Sequence, residues 1–260
     1  MEQLTVFKIG GNVIDNAAVL DDFLKNFSAI SGKKILVHGG GKIATELSKK
    51  LGIVPKMVDG RRITDAAALQ VVTMVYAGLI NKNIVAKLQS HKSQAIGLSG
   101  ADANLIYASQ RAKGEVDFGF VGDIESVNVK FLKQLLDSGF VPVICSLAHD
   151  GRGQILNVNA DTISSMTAIS LAQERYYEVK LMYIFEENGV LSNPQDPQSV
   201  IPHIRPSHYE SLKADNVVSG GMIPKLDNAF DALRKGVASV VIGGVDLLKG
   251  DNPPKTLLTL

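Results

Sequence analysis

Three lysines in this chain stand beside glycine pairs or triplets. Lys8 closes the apolar run "LTVFKIGGN" and is followed by Gly10 and Gly11; Gly39, Gly40 and Gly41 in "KILVHGGGKI" precede Lys42; Gly220 and Gly221 in "SGGMIPK" precede Pro224 and Lys225. Glycines let backbone N–H groups converge on an anion, and a helix N-terminus adds the positive end of its dipole. A lysine in a first helical turn opposes that dipole unless a negative group sits beside it. A snorkelling side chain or a flexible turn accounts for any one case; three cases in one chain point to a shared polyanion. Two other stretches carry polar groups where ligands collect. In "VDGRRIT", Arg61 and Arg62 precede Thr64, which reads as the N-cap of a long helix. An arginine here either forks onto a carboxylate or faces solvent. In "LNVNADT", Asn159 reads as an N-cap and Asp161 as a first-turn acid, and that structural account leaves Asn157 unexplained.

The elements that must hold these residues alternate. Apolar runs of strand length occur at 4–9, 33–37, 94–99, 140–146, 154–158, 180–185 and 239–244. Helical spacing fills the gaps. The longest helical stretch runs from about Asp65 to Ser90, with Leu69, Val72, Val75, Tyr76, Leu79, Ile80, Ile84 and Leu88 forming one apolar stripe. Strand–helix alternation implies right-handed crossovers and a parallel sheet between helices. The expected fold class is α/β, a three-layer αβα sandwich with a mainly parallel central sheet. Residues 115–127 alternate differently and read as an edge hairpin. A seam near 173–179 and an irregular Pro-, Asn- and Asp-rich stretch at 192–202 suggest two lobes, 1–175 and 176–260. In open parallel sheets, ligands bind beyond the carboxyl ends of the strands, where Lys8 stands.

Composition narrows the partners. Charges nearly cancel, leaving a formal net charge of +1, so neither nucleic acid nor an anionic membrane surface is an expected partner. The single cysteine, Cys145, lies in "FVPVICS" and reads as a buried core residue. One cysteine forms no intrachain disulfide, which suits a reducing cytoplasm. The N-terminal residues lack a signal-peptide pattern, and no apolar run has membrane-spanning length.

Gly39-x-Gly41-x-x-Ala44, with Asp59 downstream, also fits a loose dinucleotide fingerprint, which gives no role to Lys8 or Lys225. Taken in order, "KIGGN", "HGGGK", "DGRRIT", "GLSGAD", "FGFVGD", "LNVNAD" and "SGGMIPK" resemble the amino acid kinase family over nearly the whole chain. Within it, they are most similar to the members acting on N-acylglutamates. The resemblance implies an αβα fold with an acyl-amino-acid lobe and an ATP lobe. It implies ATP-dependent phosphorylation of the side-chain carboxylate of N-acetylglutamate, or a related N-acylglutamate, in arginine biosynthesis. By the same resemblance, Lys8 and Lys225 stabilise the phosphoryl group in flight and Asp161 positions them. Gly40, Gly41, Arg62 and Asn157 hold the acylglutamate. Gly10, Gly11, Glu186, Gly189 and Gly221 surround the nucleotide, and Mg²⁺ arrives with ATP.

The chain departs from the family pattern in two places. "FEENGVL" replaces the usual Asp-Val-x-Gly-Val-Leu, with Glu186 at the Asp position. Arg61 stands where relatives carry an apolar residue, so it faces solvent or signals a larger acyl group such as succinyl. An N-terminal helix typical of arginine-inhibited hexamers is not seen ahead of Leu4, which suggests an arginine-insensitive homodimer paired through the 65–90 helix. The rival readings are a kinase for carbamate, aspartate, glutamate or UMP, a non-catalytic amino-acid sensor, and a nicotinamide-dependent oxidoreductase.

Overall fold

The structure, a computed structural model, describes residues 1–58, 60–220, 222–250 and 253–260. Along the chain, β1 (Glu2–Ile9), α1 (Gly11–Asp15) and α2 (Ala17–Ala29) lead to β2 (Lys33–His38). Then come α3 (Gly41–Lys50), β3 (Lys56–Val58), β4 (Arg61–Ile63), α4 (Ala66–Thr73), a π-helical run Met74–Ile80, α5 (Asn81–Ser90) and β5 (Ala95–Leu98). These are followed by β6 (Ile106–Gln110), β7 (Gly122–Val127), α6 (Val129–Asp137), β8 (Val141–Cys145), β9 (Leu147–His149), β10 (Ile155–Asn157) and α7 (Ala160–Gln173). The chain ends with β11 (Tyr177–Phe185), β12 (His203–Ile204), α8 (Pro206–Ala214), α9 (Met222–Arg234), β13 (Ser239–Gly244) and β14 (Lys255–Leu258). Two compact units result. One comprises residues 36–163; the other joins residues 1–35 to 164–260.

In the second of these units, β1 pairs in parallel with β11, and β11 with β13. These strands are nearly continuous apolar runs because both faces are covered, as parallel sheets require. Strand β14 reverses direction against β13 and then pairs in parallel with β12. Helix α2 starts at Asn16, whose side chain accepts from the backbone N–H groups of Ala18 and Val19. It packs Phe27 edge-on against Phe7 of β1, ring centres 5.1 Å apart. The register sets Lys8 opposite Tyr183 and leaves Phe185 at the end of β11.

In unit 36–163, β8 pairs in parallel with β2 and with β5. A second sheet has the order β10-β9-β6-β7, and β3–β4 forms a separate hairpin. Strand β6 went unread in the sequence; it, and not residues 115–121, is the antiparallel partner of β7. The N-cap of α4 is Asp65, whose carboxylate accepts from Ala68 N at 2.9 Å. Thr64 is instead fully buried and extended, bridging to Gly119.

The long 66–90 helix is not uniform. Residues 74–80 are π-helical, closing i→i+5 hydrogen bonds and carrying an extra residue per turn. Leu79, which α spacing places on the buried stripe, is therefore 52% exposed, while Val75, Tyr76 and Ile80 stay buried. By length and hydropathy, 66–90 also meets the criterion for a membrane span, contrary to the sequence expectation. Val71, Val72, Val75, Ile84 and Leu88 are buried within the protein, which marks it as a core helix.

Candidate active site

In the unit containing the N-terminus, a cavity of about 310 Å³ opens at the ends of β1 and β11. It is lined by Lys8, Gly10, Gly11, Glu186, Gly189 and Lys225, with Phe185 among the remaining wall residues. Lys8, next to last in β1, is only 7% exposed. Gly10 continues the ladder, its N–H donating to Ile184 O at 2.9 Å. A Cβ on Gly10 would come into contact with Ile184 O and the Phe185 ring at 3.4 Å. Lys225 projects from the first turn of α9. Tyr209 supports that turn: its hydroxyl lies 2.8 Å from Asp227 Oδ1 and 3.1 Å from Ile223 O. Burial and the Asp227 carboxylate hold the Tyr209 phenol well above its ordinary pKa.

Phe185 was read in the sequence only as the end of an apolar strand. In the structure it is the platform for both lysines. Lys225 Nζ lies 4.0 Å from its ring centre and Lys8 Nζ 5.0 Å, within reach of the ring quadrupole. Gly189 has a packing reason as well: a Cβ there would meet Val200 Cγ1 at 2.6 Å and Thr256 Oγ1 at 2.7 Å. Gly221, expected at the nucleotide, lies outside the described residues, as does Asp59 of the dinucleotide fingerprint.

In unit 36–163, Gly40 precedes α3 with φ +152°. An added Cβ would stand 2.1 Å from Ile80 Cδ1 and 3.2 Å from the Tyr76 ring, so only glycine fits. Arg62, 8% exposed, reaches this turn from β4. Its Nη2 donates to Gly41 O at 2.8 Å and to Thr45 Oγ1 at 2.6 Å. Its Nη1 is buried and makes no hydrogen bond of good geometry among the described residues, with the Tyr76 hydroxyl beside the guanidinium. One edge of the guanidinium is thus anchored while a second donor waits for an acceptor, a costly arrangement unless a ligand supplies one. Arg61, the preceding residue on the strand, is exposed.

Asn157 ends β10. Its Nδ2 donates to Thr64 Oγ1 at 3.0 Å, and its backbone N–H donates to Phe120 O at 2.9 Å. Thr64 in turn lies 3.4 Å from Arg62 O, so Asn157 and Arg62 share one small network. Asp161 stands half-buried in the first turn of α7, its N–H donating to Asn159 Oδ1 at 2.7 Å. Tyr76 packs over the Gly40–Gly41 turn. Burial pushes its phenol up, and the Arg62 guanidinium beside it pulls the other way. Cys145 is fully buried, and burial pushes its thiol up to about 12, so it is a core residue and no nucleophile.

Cations gathered over glycine backbone at the ends of parallel strands are the equipment of an enzyme that moves phosphoryl groups. The chain belongs to the amino acid kinase family, whose model matches residues 3–244. It is 55% identical to the acetylglutamate kinase of Cytophaga hutchinsonii over 93% of this chain and 91% of that protein. It is 40% identical to the acetylglutamate kinase of Methanopyrus kandleri over 95% of this chain and 98% of that protein. Among solved structures, smu.665 from Streptococcus mutans UA159 superposes with a TM-score of 0.79 at 27% identity, covering 100% of this chain and 99% of that one.

Proposed function

We infer that the protein transfers the γ-phosphoryl group of ATP to the side-chain carboxylate of N-acetylglutamate, a step of arginine biosynthesis. The observation that carries this reading is Arg62, anchored on Gly41 and Thr45 with a buried Nη1 still to be satisfied, in a chain 40–55% identical to proteins named acetylglutamate kinase. A buried guanidinium of this kind suits the α-carboxylate of an amino acid. Gly40 and Gly41 would face the rest of that substrate, and Asn157 Oδ1 would accept from its amide N–H. The nucleotide is assigned to the cavity of Lys8, Gly10, Gly11, Glu186, Gly189 and Lys225. Mg²⁺ would ride on the phosphates, with Glu186 and Glu187 the carboxylates of this cavity able to meet it directly or through water.

The acceptor carboxylate, with an ordinary pKa of roughly 4.3, is already ionised at neutral pH. No general base is required. A carboxylate oxygen attacks the γ-phosphorus, the bond from that phosphorus to the β–γ bridging oxygen breaks, and ADP leaves with the electron pair. The obstacle is repulsion between anions. Lys8 and Lys225 offset it as charge spreads over the transferred group, and Asp161 is assigned to hold the lysines in place. ADP release measured with N-acetylglutamate, N-succinylglutamate, carbamate, aspartate, glutamate and UMP tests the reading. Turnover is expected with the acylglutamate, with the acyl phosphate trapped by hydroxylamine; turnover confined to another acceptor overturns it.

The working form is proposed to be a cytoplasmic homodimer without nucleic acid or membrane partners. Exposed Met74 and Leu79 on the 66–90 helix, and an apolar groove of about 420 Å³ lined by Leu69, Thr73, Met74 and Ile155 among others, support pairing through this face. Light scattering giving twice the chain mass is the expected result.

A further inference from the structure

His38 is fully buried at the end of β2, directly before the glycine turn, and the phosphoryl-transfer chemistry gives it no part. We propose that His38 and Asn81 are positioning residues that lock the peptides of the glycine turn and so set its affinity for the acyl amino acid. The inference rests on the acceptor site assigned above.

The hydrogen bonds fix every proton in this group. His38 Nδ1 lies 2.9 Å from Gly39 O, a carbonyl that only accepts, so Nδ1 carries the hydrogen. His38 Nε2 is then the acceptor for Asn81 Nδ2 at 3.0 Å. Asn81 Nδ2 also donates to Val143 O at 3.0 Å, and Asn81 Oδ1 accepts from Lys82 Nζ at 3.2 Å. The amide therefore has one orientation, and the imidazole one tautomer. Gly97 makes room for this arrangement: a Cβ there would lie 2.0 Å from Asn81 Oδ1. The π-helical run ends at Ile80, so its phase shift delivers Asn81 to His38 while Tyr76 and Ile80 cover Gly40.

The consequence for the turn follows from peptide planarity. In a trans peptide the C=O and the next N–H point in opposite directions. Holding Gly39 O fixes where Gly40 N–H points. Ser146 Oγ donates to His38 O at 2.8 Å and fixes Gly39 N–H in the same way. Two successive amides are thus aimed by side chains that touch no ligand. Glycines lose more backbone freedom on ordering than any other residue, so this turn has the most to gain from being held.

Two isosteres separate positioning from packing. In His38→Asn the amide nitrogen takes the place of Nδ1 and still reaches Gly39 O; in His38→Gln the amide reaches the Nε2 position and leaves Gly39 O free. With the full-length enzyme and N-acetylglutamate, His38→Asn is expected to keep the acceptor KM within about threefold of wild type. His38→Gln and Asn81→Ala are expected to raise it roughly tenfold, with kcat and the ATP KM within about threefold. Equal effects of the two His38 isosteres, or a loss confined to kcat, overturn the proposal. So does a ¹⁵N spectrum showing the Nε2–H tautomer of His38, a readout that needs no substrate. Wild-type enzyme inert toward acylglutamates but showing the Nδ1–H tautomer would sink the functional assignment and leave the locked turn standing.

Discussion

Lys225 and Phe185 are in contact across the cavity wall, the ammonium 4.0 Å from the ring centre, and Lys8 approaches the same ring at 5.0 Å. A single aromatic side chain therefore helps to place two cations that belong to strands and helices far apart in sequence. Partly desolvated cation–π contacts of this kind contribute about 0.5–2 kcal/mol. Phe185→Leu keeps an apolar wall and removes the quadrupole. The expected outcome is a kcat about three- to tenfold lower with the fold intact by circular dichroism; unchanged kcat would show that the ring is only a wall.

The lysines themselves should matter more. If both stabilise charge that develops during transfer, removing either costs roughly 2–4 kcal/mol of barrier. Lys8→Ala and Lys225→Ala should lower kcat by about 30- to 10³-fold, while ATP affinity measured by calorimetry changes far less. The two losses should not add fully, because the cations act on one group. A variant that loses ATP binding but retains turnover at saturation would mark its lysine as a ground-state contact.

Much of this arrangement was legible in the residues. Strand–helix alternation gave the parallel pairings, because apolar runs such as 4–9 and 33–37 are bounded by glycine and followed by helical spacing. Glycine beside lysine marked the cavity end of β1. Phe185 escaped notice because an aromatic residue closing an apolar strand looks like core, and its role depends on two lysines brought to it by folding. The π-helical run escaped for another reason. Val75, Tyr76, Leu79 and Ile80 satisfy α and π spacing alike, so nothing in their order reveals the extra residue per turn that exposes Leu79. Strand β6 was missed because "IYASQ" lacks the β-branched density of its neighbours, and its pairing with β7 is long-range.

The glycine turn and its arginine offer a direct contrast. Gly40→Ala places a methyl group where Ile80 and Tyr76 already are and strains a backbone at φ +152°. It should lower the melting temperature and abolish acceptor binding together. Arg62→Lys preserves charge but not the fork that anchors on Gly41 and Thr45. It should leave the melting temperature nearly unchanged and raise the acceptor KM by roughly ten- to a hundredfold. An Arg62→Lys enzyme with wild-type KM would place the α-carboxylate elsewhere.

Acid should act on the same turn through His38. Burial lowers its pKa from 6.5 to about 4 in the folded chain; the hydrogen bond from Nδ1 to Gly39 O works against this, and the Lys82 ammonium adds to it. The unfolded chain takes up the proton first. The stability associated with neutral His38 is therefore fully present above pH 6.5 and is lost progressively as the pH falls from 6.5 through about 4. At pH 5 the loss from this residue should amount to about 2 kcal/mol. Urea unfolding at pH 7 and pH 5, run side by side for wild type and His38→Asn, isolates it from the carboxylates that titrate nearby. The wild-type free energy should fall more steeply than that of the variant, which carries no imidazole at this position; parallel slopes would mean that His38 is protonated, or solvated, in the native chain. Protonation of the native chain, which sets in only as the pH approaches 4, would convert Nε2 from acceptor to donor against the Asn81 amide, so the acceptor KM of wild type should hold between pH 6.5 and 5 and climb toward pH 4 while the ATP KM holds.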